Sequence, residues 1–287
     1  MFDRIVVAYD ASESSKAALR ETALWARRHG GSLLLVHAVY FDSEEFAIPP
    51  SQLEKGVENA IRLCREAKER TSAECDLADR IEVVVREGEA PDVLARIAQT
   101  ERADLIAVGT FGKSALKRLL VGSVTAEVIL KAPCDVLVVK RPCDACTGSY
   151  RSILVAYDRS ASSKKALARA AELARAEEAT LTILYVIPRY QEMVEFLRTE
   201  AMDQSLRAAA EKVLAEAREI ASAPGLVVTT RIGEGHAADE ILGAARDLGN
   251  DLVVMGTYGW TGVSKAIMGS TTSRVITHAS APVLVVK

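Results

Sequence analysis

Short runs of consecutive apolar residues alternate along the chain with longer stretches of mixed character. In Ile5–Tyr9, Leu33–Val39, Ile81–Val85, Leu105–Val108 and Val136–Val139 the apolar residues are contiguous rather than alternating, as in parallel strands covered on both faces. A second set follows at Ile153–Tyr157, Leu181–Ile187, Leu226–Thr230, Leu252–Met255 and Val283–Val286. After the first run of that set, Ala166, Leu167, Ala170, Ala171 and Ala174 fall at i, i+1, i+4, i+5 and i+8, one stripe of a helix. Ala18, Leu19, Thr22, Ala23 and Ala26 hold the same places earlier, with Lys16, Arg20 and Arg27 left to face water. Strand, helix, strand in repetition predicts right-handed crossovers and an open, doubly wound α/β sheet.

The two sets are one unit written twice. "RIVVAYDASESSKAAL" from Arg4 aligns with "SILVAYDRSASSKKAL" from Ser152, "ADLIAVGTFG" with "NDLVVMGTYG", and the closing "APCDVLVVK" with "SAPVLVVK". Residues 1–140 and 151–287 therefore read as two copies of one domain, joined by a linker over 141–150, "RPCDACTGSY". A length of 287 residues suits two domains of ordinary size.

With 49% hydrophobic and 26% charged residues the chain is expected to fold as a globular protein. The net charge of −3 and dispersed Lys and Arg argue against a nucleic-acid partner. No apolar segment approaches the roughly 18 residues that cross a bilayer, and the N-terminal apolar run is too short for a signal peptide, so a cytoplasmic location with no membrane partner is expected. Five cysteines, an odd number, suggest reduced thiols, with Cys64, Cys75 and Cys134 as scattered small apolar residues. Cys143 and Cys146 form C-x-x-C inside the linker. That pattern is open to three readings: a redox pair, half a metal site, or part of a flexible polar connector. It lacks the strand-to-helix setting that lowers a thiol pKa, and a zinc site would need two more ligands where only Cys134 is near.

The chemistry-bearing candidates cluster at strand ends. Asp10 and Asp158 close the first strand of each copy, and Gly109 and Gly256 close the fourth. Ligands of doubly wound sheets sit beyond the carboxyl ends of the strands where the strand order reverses. If the first and fourth strands are neighbours there, each aspartate faces a glycine loop across one cleft. "GTFGKSALKRLLVGS" and "GTYGWTGVSKAIMGS" both read G-x2-G-x9-G-S. Gly109 with Gly112, and Gly256 with Gly259, suit a tight turn. Gly122-Ser123 and Gly269-Ser270 open helical segments whose bare amides and dipole favour phosphate. The alternative is that the glycines only make turns and close helix–strand contacts. Lys113 could pair with phosphate, where the second copy has Trp260. The P-loop pattern is absent, as is the G-x-G-x-x-G of dinucleotide-binding turns.

On the VAYD of the first strands, the paired glycine patterns and the closing strands, the chain resembles the universal stress protein family in its tandem two-domain form. The resemblance covers nearly everything but the linker and the segments Phe41–Lys55 and Pro188–Ala201. It implies two flavodoxin-like (adenine nucleotide alpha hydrolase-like) domains with five-stranded parallel sheets in the order 3-2-1-4-5. It also implies ATP in both copies, with Mg2+ accompanying the phosphates. The implied phosphate and ribose residues are Gly109, Gly112, Lys113, Gly122, Ser123 and Val124, with Gly256, Gly259, Gly269, Ser270 and Thr271. Asp10 and Asp158 would meet the nucleoside end, or cap the helices that follow, and Ala38 and Val186 would offer backbone to adenine. The last strands, Val136–Lys140 and Val283–Lys287, would pair between domains; homodimerisation and the protein partners stay open.

The activity so implied is a nucleotide-dependent sensor or regulator of stress response, with at most slow hydrolysis or self-phosphorylation. No residues read as a set that positions water and stabilises a phosphoryl transition state; His37 and His236 read as structural and surface residues. Two other readings remain at this level: an interaction scaffold that binds no nucleotide, and an ATP-using enzyme of related fold.

Overall fold

The apolar runs become five parallel strands in each half of the chain. The computed structural model describes residues 2–40, 50–110, 122–140, 142–188, 199–258 and 268–287. It divides into one unit over Met1–Ser149 and another over Tyr150–Lys287. The first unit runs β1 (Arg4–Ala8), α1 (Glu13–His29), β2 (Ser32–Val39), α2 (Pro50–Cys75), β3 (Ile81–Glu87), α3 (Ala90–Thr100), β4 (Leu105–Gly109), α4 (Ser123–Lys131) and β5 (Asp135–Val139). Its strands pair in parallel in the order β3-β2-β1-β4-β5. The second unit repeats this with β6 (Ser152–Ala156), α5 (Ala161–Glu177), β7 (Thr180–Pro188), α6 (Glu200–Ala221), β8 (Val228–Gly235), α7 (Ala237–Asp247), β9 (Leu252–Gly256), α8 (Ser270–His278) and β10 (Val283–Val286). Its order is β8-β7-β6-β9-β10, again all parallel. The order reverses between β1 and β4, and between β6 and β9, which puts each aspartate strand beside its glycine strand.

Ile5, Leu33, Leu35, Leu105 and Ile106 are buried in the first sheet, as are Ile153, Leu181, Ile183 and Leu252 in the second. The small stripe Ala18, Ala23 and Ala26 is also buried, so α1 lies close against the strands. Within the first unit α1 contacts α2 and α3 contacts α4, so the helices cover the two faces of the sheet in pairs. Among the described residues no helix is long and apolar enough to cross a membrane.

Two sequence expectations need correction. The third strand of the second copy was expected over Leu226–Thr230 and lies at Val228–Gly235. The strand pairs with β7 alone within its unit, and Val227 is 60% exposed, so the apolar run there marks its approach rather than its core. The linker is not a free connector. Residues 142–149 lie along α1: a 3₁₀ turn spans Cys143–Ala145, the Thr147 amide donates to Glu21 Oε2 at 3.1 Å, and Gly148, at φ 58°, sets its backbone against Leu24 and Trp25. A Cβ at Gly148 would collide with the helix there. Position 141 lies outside the described residues.

Candidate functional site

The turn from β1 into α1 builds one wall of the cleft. Ser12 is the N-cap: its Oγ accepts the Ser15 amide at 3.2 Å. Asp10 does not cap the helix itself. Its Oδ1 accepts the Ser12 amide at 2.9 Å, while its own amide donates to Ser15 Oγ at 3.3 Å. Ala11 between them takes φ 64°, a left-handed conformation uncommon for a residue with a side chain. The second unit repeats the device: Asp158 Oδ1 accepts from Ser160 at 3.0 Å, Ser160 Oγ accepts from Ser163 at 3.1 Å, and Arg159 has φ 69°. Each carboxylate is thus held in place at the β1 or β6 end by backbone. The serines were present in "DASESS" and "DRSASS" but carried no assigned role in the sequence reading.

The opposite wall is the exit of β4 and the start of α4. Gly109 is the last residue of β4, and a Cβ there would fall within 2.7 Å of Ser14 atoms, backbone included. Gly256 meets Ser162 in the same way. The glycine that ends each fourth strand is therefore required by the close approach of the first helix. This assigns to Gly109 and Gly256 the packing role that the sequence had left as an alternative.

Gly122 and Gly269 behave differently. Both are N-caps with ordinary negative φ, −55° and −57°, and neither helix start has a side-chain cap. A Cβ on Gly269 would come no nearer than 3.5 Å to its surroundings, ordinary contact. Neither backbone angle nor crowding demands glycine at that position. Glycine at this N-cap supplies no side chain to the first amides of α8, at the positive end of the helix dipole. Ser123, Val124 and Ser270 are exposed beside these amides, and Thr271 is half-buried. Each helix start is tied back to its strand, by Thr125 Oγ1 donating to the Gly109 carbonyl at 2.8 Å and Thr272 Oγ1 donating to the Gly256 carbonyl at 3.2 Å. The Gly122 amide likewise donates to the Thr110 carbonyl at 3.1 Å.

On the other side of β1 lies the end of β2. Ala38 is half-buried and pairs in register with Arg86, and Val186 pairs with Gly233 in the second unit. His37 Nδ1 lies 2.6 Å from the Tyr9 carbonyl, which can only accept, so Nδ1 carries a hydrogen and donates it there. The histidine borders a cavity of about 460 Å³ together with Val39, Gly56, Asn59, Ala60 and Arg62. Tyr185 takes the corresponding place in the second unit. Burial raises the pKa of Tyr9 and Tyr157, so the tyrosine of each VAYD stays a neutral core residue.

Gly112, Lys113, Gly259 and Trp260 lie outside the described residues. His236 is the N-cap of α7 without a side-chain hydrogen bond to the helix, consistent with its reading as a helix-start residue. Among the described residues no group of three or more His, Cys, Asp or Glu is arranged to hold a metal ion, and no disulfide joins the five cysteines.

A family model described as "Universal stress protein family" matches residues 1–140 and again 149–287. A universal stress protein of Mycolicibacterium smegmatis is 29% identical over 289 residues, covering 99% of this chain and 96% of that one. A universal stress protein of Thermus aquaticus is 33% identical over 143 residues, 49% of this chain and 100% of its own length. The crystal structure of a universal stress protein from Archaeoglobus fulgidus superposes with a TM-score of 0.73, covering 99% of this chain and 96% of that one at 22% identity, which supports the fold.

Proposed function

The chain belongs to the universal stress protein family, and from that premise we propose that each unit binds ATP, with Mg2+ carried on the phosphates, as a nucleotide-dependent regulator of stress response. The observation that carries this reading is Gly269: a helix start left bare where the fold itself does not require glycine. The triphosphate would lie against the first amides of α4 or α8, with Ser123 or Ser270 adding a hydroxyl donor and Val124 and Thr271 flanking it. The ribose hydroxyls would reach Asp10 or Asp158, since a carboxylate repels phosphate and accepts hydrogen bonds from hydroxyls. Adjacent parallel strands lie about 4.8 Å apart, so a nucleotide running from β4 over β1 reaches β2 next and sets its base near Ala38 and the His37 cavity. With no acidic cluster among the described residues, Mg2+ would take its oxygens from phosphate and water. Hydrolysis would be slow at most on this reading, which gives Asp10 and Asp158 to the ribose and assigns no pair of residues to positioning water and stabilising the transition-state charge.

Calorimetric titration of the nucleotide-free protein with Mg-ATP tests the proposal, and absence of saturation up to millimolar ligand would overturn it. Asp10→Ala should weaken ATP and adenosine alike in the first unit and leave tripolyphosphate almost unaffected. Equal loss for all three ligands would make the aspartate purely structural.

A further inference from the structure

The nucleotide reading leaves Cys143 and Cys146 without a role, yet their surroundings are specific. The Cys146 amide donates to the Cys143 carbonyl at 3.3 Å and closes a turn between the two cysteines. The ends of such a turn lie under about 7 Å apart, which overlaps the roughly 4.4–6.8 Å between Cα atoms that a disulfide spans. Both sulfurs sit on consecutive carbonyls of α1: Cys143 Sγ is 3.9 Å from the Lys16 oxygen and Cys146 Sγ 3.3 Å from the Ala17 oxygen. Cys143 is half-buried and borders a cavity of about 400 Å³, whereas Cys146 is buried. One thiol is accessible and its neighbour is protected, the division between an attacking and a resolving cysteine.

We propose that Cys143 and Cys146 are a reversible dithiol site whose oxidation by a hydroperoxide loosens the strap of residues 142–149 from α1. In the first step the Cys143 thiolate attacks one peroxide oxygen. The O–O bond breaks, water or an alcohol leaves after protonation, and Cys143 becomes a sulfenic acid. The Cys146 sulfur then attacks the Cys143 sulfur and the S–O bond breaks. The sulfenic oxygen leaves as water with the remaining thiol proton, and the two electrons lost by the thiols have reduced the peroxide. The disulfide draws the sulfurs to about 2.05 Å and removes both S–H donors, so neither α1 carbonyl keeps its thiol hydrogen bond. Lys16 and Ala17 lie in the first turns of the helix that Ser12 caps, so the change begins a few residues from Asp10.

The charged and titratable groups around Cys143 are Glu13, Lys16 and Arg20 of α1, Arg70, Glu74 and Cys75 of α2, and Asp144 of the turn itself. Burial is the largest influence and raises the thiol pKa; Arg20 and Arg70 oppose it, while Glu74 and Glu13 add to it. Oxidation is therefore slow at neutral pH and accelerates as the pH rises through the thiol range.

The full chain is treated with hydrogen peroxide, unfolded, alkylated and mapped by mass spectrometry. The five alkylatable thiols of the reduced chain should fall to three, with the loss confined to the peptide holding Cys143 and Cys146 and reversed by dithiothreitol. Hydrogen exchange over residues 16–24 and 142–149 should rise in the oxidised wild type and stay unchanged in peroxide-treated Cys146→Ser. Retention of all five thiols, or a bridge from Cys143 to Cys75, overturns the site. A Cys143–Cys146 bridge with unchanged exchange overturns the loosening of the strap.

Discussion

At the scale of single residues, the two described glycines of each G-x2-G-x9-G-S motif have separable duties. Gly256 is pressed against Ser162, backbone included, so Gly256→Ala should destabilise the protein by about 1–3 kcal/mol through overpacking. Gly269 has room, and Gly269→Ala should cost no more than about 1 kcal/mol, the lost N-cap preference, while weakening ATP binding in the second unit. Chemical denaturation and calorimetry on the same pair of variants separate the two roles; equal destabilisation would deny Gly269 a ligand role. The sequence pattern marked both glycines as one motif. It could not divide them, because the distinction depends on how near Ser162 comes from nearly a hundred positions away.

At the scale of elements, α1 carries three tasks at once. Its start is held by Ser12 and Asp10, its alanine stripe lies on the sheet, and its outer face receives the linker through Glu21 and Leu24. Glu21 is only 1% exposed and its Oε1 has no hydrogen-bond partner among the described residues, while Oε2 accepts the Thr147 amide. A charge-bearing group is rarely buried without a job, and here the job is to hold the strap. Glu21→Ala should therefore speed protease cleavage within 142–149 several-fold relative to the wild type. A cleavage rate unchanged from wild type would mean that the strap is held by other contacts. The stripe of α1 could be read from its spacing. The linker's course could not, since Pro, Gly and polar residues announce a loop and say nothing of what it lies on.

At the scale of the molecule, duplication predicts two nucleotide sites per chain. A bulky residue in place of Gly122 should reduce the binding stoichiometry from two to one and leave the second unit's affinity intact; unchanged stoichiometry would count against the assignment of the α4 start. Global stability should also depend on pH through the thiol of Cys64, which burial pushes up to about 11 from an ordinary 9.0. The folded protein holds this proton where the unfolded chain has released it, so the contribution of Cys64 to stability is fully present below pH 9.0 and is lost as pH climbs toward 11. The loss attributable to Cys64 is at most about 2–3 kcal/mol. Urea denaturation at pH 8 and pH 11 should show a smaller decline for Cys64→Ala than for the wild type.

The chain's own order of residues determined the duplication, the α/β class, the positions of nearly all the strands and the helix starts opened by Gly122 and Gly269. These are local properties: contiguous apolar runs, a helical stripe, a glycine before a serine. The strand β8 escaped because an edge strand buries little and leaves a weak apolar signature. Tertiary structure alone decided that Gly109 serves Ser14, that His37 turns its Nδ1 hydrogen to the Tyr9 carbonyl, and that Cys146 rests on Ala17 across 129 positions of sequence. Contacts of that reach follow from how the sheet brings distant segments side by side, and no local pattern encodes them.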